Sequence, residues 1–369
     1  MLDKLAKFPL LEKTTEKSVD ALCRLLRKMY VGKNEGNKNI LVVSMHRLGD
    51  TVFTIPSLRL LVEKYGNDVI VACFSECVSI YKLEFSNLRY IRVSGNDLKL
   101  KGRIASFDIR QKVKAVKPKI IFDITAAINS VTLIAGIRVE SLYGISVKYF
   151  KNLYNYSVAE RTLPHLIDRY FDAVRVAFPE ASVEMYREFP VKIQEKGKIL
   201  IHPFAGWKAK EWGEERFLKL TEELSRDYDV AMIAEKGKLK PESIEYLRGK
   251  KLELYETGNL DELIETIKKS IFYIGNDSGP LYIAALLGIP TFAIYSSSNP
   301  VYSLPYAPNH SYIIKKLDCS AKENEKICSA RGGESGCDFY RCVSELEYAE
   351  VYKKIADVIK RLKFVKKNP

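Results

Sequence analysis

"ILVVSMHRLGDTVFTIPSLRLL", residues 40–61, decides the fold. Ile40 to Ser44 read as a buried strand, because Ile and Val suit a pleated, covered surface. Gly49-Asp50 breaks the run, and from Thr51 onward the apolar residues recur at helical spacing. A strand passing through a Gly-bearing turn into a helix is the first half of a βαβ unit, which builds parallel sheets. The carboxylate of Asp50 stands at the lip of that turn. It either caps the helix or faces a substrate, and this stretch alone leaves both open.

The pattern repeats outward. "VIVACF", "LRYIRV" and "KIIFDI" read as further strands, and "TVFTIPSLRLLVEKYG" and "AAINSVTLIAG" as helices stopped by Gly66 and Gly136. A second set begins near residue 198. "KILIHPF", "YDVAMIA" and "IFYIGND" read as strands, with "PTFAIYSSS" as the final one. Their helices are "GEERFLKLTEELSRD", "DELIETIKKS" and "GPLYIAALLG".

A chain of 369 residues is long for one core. The expected fold class is α/β, with two Rossmann-like domains facing a cleft. A basic amphipathic extension covers 1–39, the first domain 40–190 and the second 191–343. A helix follows over 344–369, with the option of packing back on the first domain. "LPHLIDRYFDAVRVAF" reads as a helix between the sets, and "PEASVEMYREFPVKIQEKG" has linker composition. Open α/β sheets bind ligands outside the carboxyl ends of their strands. On this reading Asp50, "HPFAGWKAKEW" and "GNDSGP", which each follow a strand, converge on one cleft.

Composition narrows the partners. Apolar residues make up 47% and charged residues 28%, as in ordinary globular chains. No run approaches the roughly 18 to 20 apolar residues of a membrane span, and the N-terminus lacks a signal-peptide pattern. A cytoplasmic location is the expectation. With 59 basic against 46 acidic residues, the formal net charge is +13. That excess favours an anionic partner: nucleic acid, a membrane surface or a phosphorylated substrate. Zinc-finger, basic-zipper and RNA-binding signatures are absent, which disfavours nucleic acid. In "EKSVDALCRLLRKMY", Val19, Leu22, Cys23, Leu26 and Met29 recur at helical spacing between basic residues. Such a helix either packs on its own domain or lies on an anionic bilayer.

Two stretches carry chemistry. In "YIGNDSGPLYIAALLG" a strand turns into a helix through Asp277, Ser278, Gly279 and Pro280. Pro280 suits the first turn, and Ser278 or Asp277 can cap it. The helix start then offers unpaired amides and a positive dipole end, which suit an anion. In "HPFAGWKAKEW" a turn through Ala205 and Gly206 leaves amides open, with Lys208 and Lys210 following. Lysine beside open amides can neutralise charge on a departing phosphate. The Walker A spacing is absent.

Taken in order, these stretches resemble glycosyltransferase family 9, the heptosyltransferase family with the glycosyltransferase B-type fold, over roughly residues 40–345. "HRLGDTVFTIPSLRLL" resembles its opening Gly-Asp motif and "HPFAGWKAKEW" its lysine-tryptophan donor loop. "NDSGPLYIAALLGIPTFAIYSSSNP" is similar to its Asp-Thr-Gly motif and Ala-Ala-Leu-Gly helix, and "HLIDRYFDAV" to its entry into the interdomain region. The resemblance implies that Asp50 is the catalytic base and that Lys210 contacts the donor diphosphate. It implies that Ser278 and Gly279 cradle phosphate, with Asp277 beside them. Glu235 or Glu242 would meet the donor's ribose. Arg47 and Gly49 would meet the acceptor.

There are departures. Ser278 replaces the family's usual Thr and keeps the hydroxyl. Tyr282 replaces its usual His near the donor, which leaves the choice of nucleotide sugar open. Cys319, Cys328, Cys337 and Cys342 resemble a cysteine-bearing segment of many members and lack the tight pairs of structural zinc sites. Plain thiols, a metal and a redox pair all remain open for them. Cys23, Cys73 and Cys77 read as small buried hydrophobes, and His165 and His310 as structural.

The expected function is an inverting, metal-independent glycosyltransferase without a cofactor. It would move a heptose or another hexose-type sugar from a nucleotide-diphosphate donor to a saccharide of lipopolysaccharide or a related surface glycan. The expected acceptor is lipid-linked and anionic, met at the inner face of the cytoplasmic membrane. The alternatives are a non-catalytic nucleotide- or polyanion-binding protein and a sugar-nucleotide epimerase on the same fold.

Overall fold

The opening strand, β1 (Ile40–Ser44), is buried along its whole length. The computed structural model describes residues 9–32, 38–147, 150, 152–159, 161, 165–189, 191, 196–330, 337 and 340–366. The expected loop over 32–39 falls largely outside them, and so does part of the expected linker before residue 197. The chain folds as two units, 1–161 with 166–187, and 162–165 with 188–369.

In the first unit, α1 (Pro9–Tyr30) precedes β1 and α2 (Leu48–Tyr65) follows it. Then come β2 (Val69–Phe74), α3 (Val78–Lys82), β3 (Arg89–Val93) and a hairpin of β4 (Leu98–Lys99) and β5 (Ile104–Ala105). After them come α4 (Phe107–Ala115), β6 (Ile120–Asp123), α5 (Ile128–Ile134), β7 (Ser141–Ser146), β8 (Tyr156–Ala159) and α6 (Leu166–Arg175). The sheet order is β3-β2-β1-β6-β7-β8, and every pairing is parallel. Chain direction along the sheet reverses between β1 and β6, so that pair flanks the switch point where such sheets bind ligands.

Alternation along the strands sorts the two faces. Leu41 and Val43 pack with Ile70, Ala72 and Ile121 beneath Cys23 of α1 and Ile109 and Val113 of α4. Helices α2 and α6 pack against each other on the remaining side. The cysteine reading holds here, since Cys23, Cys73 and Cys77 are all buried free thiols.

One close approach is worth a test. A Cβ on Gly144 of β7 would sit 2.3 Å from the Tyr154 ring. That buried ring donates its hydroxyl to Asp123 at 2.8 Å. Asp123 also accepts from Ser130 Oγ at 2.8 Å and from the amides of Thr125 and Ala126 at 3.0 Å. Gly144→Ala should therefore displace Tyr154 and cost about 2–4 kcal/mol in urea unfolding. Gly95→Ala, whose Cβ meets nothing within 4 Å, should stay within about 0.5 kcal/mol. Equal effects of the two would refute this reading of the contact.

The second unit repeats the plan. Its elements are β9 (Lys198–His202), α7 (Glu214–Ser225), β10 (Val230–Glu235), α8 (Pro241–Gly249), β11 (Glu253–Thr257) and α9 (Leu260–Lys268). Next come β12 (Ser270–Asn276), α10 (Gly279–Leu286), β13 (Thr291–Tyr295) and β14 (His310–Ile314). The chain closes with α11 (Arg341–Ser344) and α12 (Tyr348–Leu362). The order β11-β10-β9-β12-β13-β14 is again wholly parallel. The α/β class with two Rossmann-like sheets therefore stands.

Two expectations are corrected. The stretch "PTFAIYSSS" does not end the sheet, because β14 adds an edge strand whose sequence, "HSYII", is too short and half-polar to announce itself. The terminal helix packs in the second unit. Val351, Ile355, Val358 and Ile359 of α12 join Ile199, Ile201 and Phe217 in the core of the second unit, which its one-sided apolar stripe requires.

Candidate functional site

In the first unit the turn after β1 places Arg47 at the N-cap of α2 and Asp50 in its first turn. Arg47 makes no side-chain cap, and Asp50 lies inside the helix, so the capping reading of Asp50 fails. The half-buried carboxylate instead accepts from the Tyr170 hydroxyl at 3.1 Å. Tyr170 is buried on α6, its ring 4.5 Å from that of His46. Burial first, and then Asp50, push the Tyr170 phenol well above its usual range, so it stays a proton donor to Asp50. Arg47 is exposed and Gly49 half-buried beside it. A carboxylate held by one donor, with a second oxygen left over, is placed to receive a proton.

In the second unit the loops after β9 and β12 flank the switch point of the sheet. Asn276, buried at the end of β12, joins them, accepting from the Trp212 amide at 3.0 Å and donating to the Pro203 carbonyl at 2.7 Å. Lys210 reaches the buried carboxylate of Asp277 and lies 5.1 Å above the Trp207 ring. Ser298 and Tyr282 also donate to Asp277. Burial alone would raise the Asp277 carboxyl. The charge of Lys210 and these three donors outweigh it and hold the group below the usual carboxylate range. Ser296 ties the same loop down by donating to the Ala209 carbonyl at 2.6 Å.

Ser278 occupies the N-cap of α10 but makes no side-chain cap. Its hydroxyl is buried with no partner, and the hydroxyl of Ser297 is likewise buried without one. The expectation that Asp277 or Ser278 caps the helix is corrected, because Asp277 is turned to Lys210 and Ser278 is left unpaired. An orphan hydroxyl at a helix N-terminus, next to Gly279 in the first turn and with a lysine held nearby, can act as an anion cradle. The open amide expected at Ala205 is also corrected, since it donates to Glu211 at 3.2 Å. Gly206 is exposed, with open space where a Cβ would sit.

Comparison with known proteins fits this geometry. The family model described as glycosyltransferase family 9 (heptosyltransferase) matches residues 108–331, more than half of the chain. The chain belongs to this family. A lipooligosaccharide heptosyltransferase 2 of Haemophilus influenzae is 30% identical over 138 residues, covering 35% of this chain and 37% of that relative. The chain thus matches little over a third of that relative's length. In fold, the chain resembles a family 9 glycosyltransferase of Veillonella parvula (TM-score 0.69, 16% identity, 88% of this chain and 97% of that one). It also resembles the ADP-heptose lipopolysaccharide heptosyltransferase II of E. coli (TM-score 0.67, 14% identity, 88% and 99%). The two parallel sheets are thus those of the glycosyltransferase B-type fold.

Within this family 9 chain the matched stretch contains Lys210, Asp277, Ser278 and Gly279, while Asp50 precedes it. Tyr282, where the family usually has His, is buried and spends its hydroxyl on Asp277, so it bears on the cradle through that carboxylate. Glu235 ends β10 with a largely exposed side chain 3.9 Å from Lys238, and Glu242 is exposed in the first turn of α8. His310 is structural, bonded to Thr291 at 2.9 Å and pushed down to about 4 by burial. His165 bonds the Leu304 carbonyl at 2.8 Å.

Sequence reasoning missed Tyr170, Asn276, Ser296 and Ser298. For Ser296 and Ser298 the one signal was the small polar run "SSSNP" directly after a strand. The four late cysteines are free thiols, and they line one pocket with Ala209, Ser296 and Ser297. Among the described residues no group of three or more His, Cys, Asp or Glu is placed to hold a metal ion.

Proposed function

We propose that this protein is an inverting glycosyltransferase using a nucleotide-diphosphate sugar. The second unit would hold the donor. Its diphosphate would meet Lys210, the Ser278 hydroxyl and the start of α10, with Glu235 near the ribose. The observation that carries this is the buried, unpartnered hydroxyl of Ser278 beside the Lys210–Asp277 pair. A phosphate oxygen satisfies that orphan and finds a cation already held in place.

Asp50 would take the proton from an acceptor hydroxyl as it attacks the anomeric carbon, the Tyr170 bond fixing the carboxylate. Charge on the departing diphosphate is met by Lys210 and the α10 dipole, so this reading asks for no metal and no cofactor. The acceptor would be an anionic, lipid-linked saccharide of lipopolysaccharide or a related glycan, with heptose or a hexose-type sugar transferred at the inner face of the cytoplasmic membrane. Family membership and the basic excess support that choice.

A thermal-shift panel of ADP-, GDP- and UDP-linked sugars tests the donor half. At a ligand concentration about a hundredfold above Kd, the native state gains about 2.7 kcal/mol, or about 5–10 °C in Tm. One nucleotide class should do this and the others should not. No shift with any of them removes the donor site. A shift without turnover on any acceptor favours the non-catalytic binder.

A further inference from the structure

Helix α1 has more apolar surface than the fold uses. Val19, Cys23 and Leu26 pack into the core of the first unit. Leu22, Leu25 and Met29, three and four residues apart, stack on one side of the helix. They are 53%, 56% and 59% exposed. Lys17, Arg24 and Lys28 stand exposed beside that ridge, with Arg24 paired to Asp20.

A second patch has the same character. Leu100, at the tip of the β4–β5 hairpin, is 74% exposed between Lys99 and Lys101, with Arg103 close behind. Phe107, opening α4, is 68% exposed. Leu98 and Ala105 of the hairpin and Ile109 of α4 pack in the same core layer as Cys23. Helix α1, the hairpin and α4 therefore cover one face of the sheet, and both patches belong to its outer layer.

Large apolar side chains cost free energy in water, and a helix anchored by one face does not need them on another. Apolar tips rising from a basic rim match a surface that is anionic at its top and hydrocarbon just beneath. We propose that this layer of the first unit docks on an anionic lipid bilayer. Leu22, Leu25, Met29, Leu100 and Phe107 enter the headgroup zone, while Lys28, Lys99 and Lys101 meet lipid phosphates. A neighbouring face of α1 is committed to the core, so the helix lies along the bilayer. This extends the lipid-linked acceptor reading to the face that meets the membrane, and its test is binding rather than turnover, so the two can fail separately.

The full chain is sedimented with vesicles of phosphatidylcholine alone and of phosphatidylcholine with about one third phosphatidylglycerol. Binding should appear with the anionic vesicles and weaken as salt is raised. The triple change Leu22→Gln, Leu25→Gln, Met29→Gln should cut partitioning by more than about tenfold, with the unfolding midpoint unchanged because these side chains are exposed. Leu25→Trp should show a blue-shifted emission on the anionic vesicles alone. Equal binding by the triple variant, or binding to neither vesicle, overturns the proposal. Self-association that the triple variant abolishes, without vesicle binding, assigns the face to a second copy and overturns it too.

Discussion

Asp50→Ala should lower kcat for sugar transfer by about 10²–10⁴, the range a positioned general base supplies. Affinity for the nucleotide sugar should stay within about threefold, because the residues assigned to the donor lie in the other unit and depend on Lys210 and Ser278. Asp50→Asn sharpens the test. Its amide oxygen can still accept from Tyr170, so the local bond survives while the proton acceptor is gone. The two variants should therefore be equally slow. If Asn recovers most of the activity, Asp50 orients the acceptor and does not take its proton. Tyr170→Phe should be milder, since the carboxylate remains and only its aim is loosened. It also removes a buried hydroxyl together with its bond, so its stability cost should be about 1 kcal/mol. Release of nucleoside diphosphate measures kcat, and calorimetric titration of the donor measures binding. Turnover of Asp50→Ala within tenfold of the parent would remove this residue from the chemistry.

Much of this was legible in the chain because burial writes itself as period and punctuation. "ILVVS" and "KILIH" are continuous apolar runs because both faces of a parallel strand are covered. The two edges of the second sheet were not legible. In "ELYET" and "HSYII" one side meets solvent, so charge and hydroxyl interrupt the run. The site divides along the same line. Asp50, Lys210 and Ser278 stand at strand-to-helix turns, where a polar residue against an apolar background is conspicuous. Tyr170 is hidden, because its phenol lies within an apolar helix face and acts only through a bond to a residue far away in sequence. Ser298 is hidden in the same way, as its bond to Asp277 crosses from the loop after β13 to the turn after β12. The sequence could suggest that Asp277 caps a helix. Only the positions of Lys210, Ser298 and Tyr282 show that three donors compete for it and win.

That competition sets the second large effect. Asp277→Ala should destabilise the protein by about 3–5 kcal/mol, the range seen when one member of a buried ion pair is removed. The Lys210 side chain keeps 20% exposure and can turn partly to water, which places the expected value near the lower end. Ser298 and Tyr282 would be left facing a space with no acceptor. Tyr282→Phe removes only one of the three donors and should cost about 1 kcal/mol. Tyr282→His restores a donor and should recover part of that loss.

The pH dependence follows from the sign of the shift. The folded carboxyl of Asp277 lies below its unfolded value, so in acid the unfolded chain binds the extra proton. The pair's contribution is complete above the unfolded pKa of about 3.9 and is lost as pH falls through the lower, folded value. Urea unfolding between pH 3 and pH 7 should show the parent losing stability at the acid end. Asp277→Asn, which cannot titrate, should be less stable at neutral pH and should show a shallower acid limb. Parallel curves for the two proteins would mean that Lys210 does not hold the proton off Asp277. Lys210 would then be no fixed cation for a departing phosphate to meet.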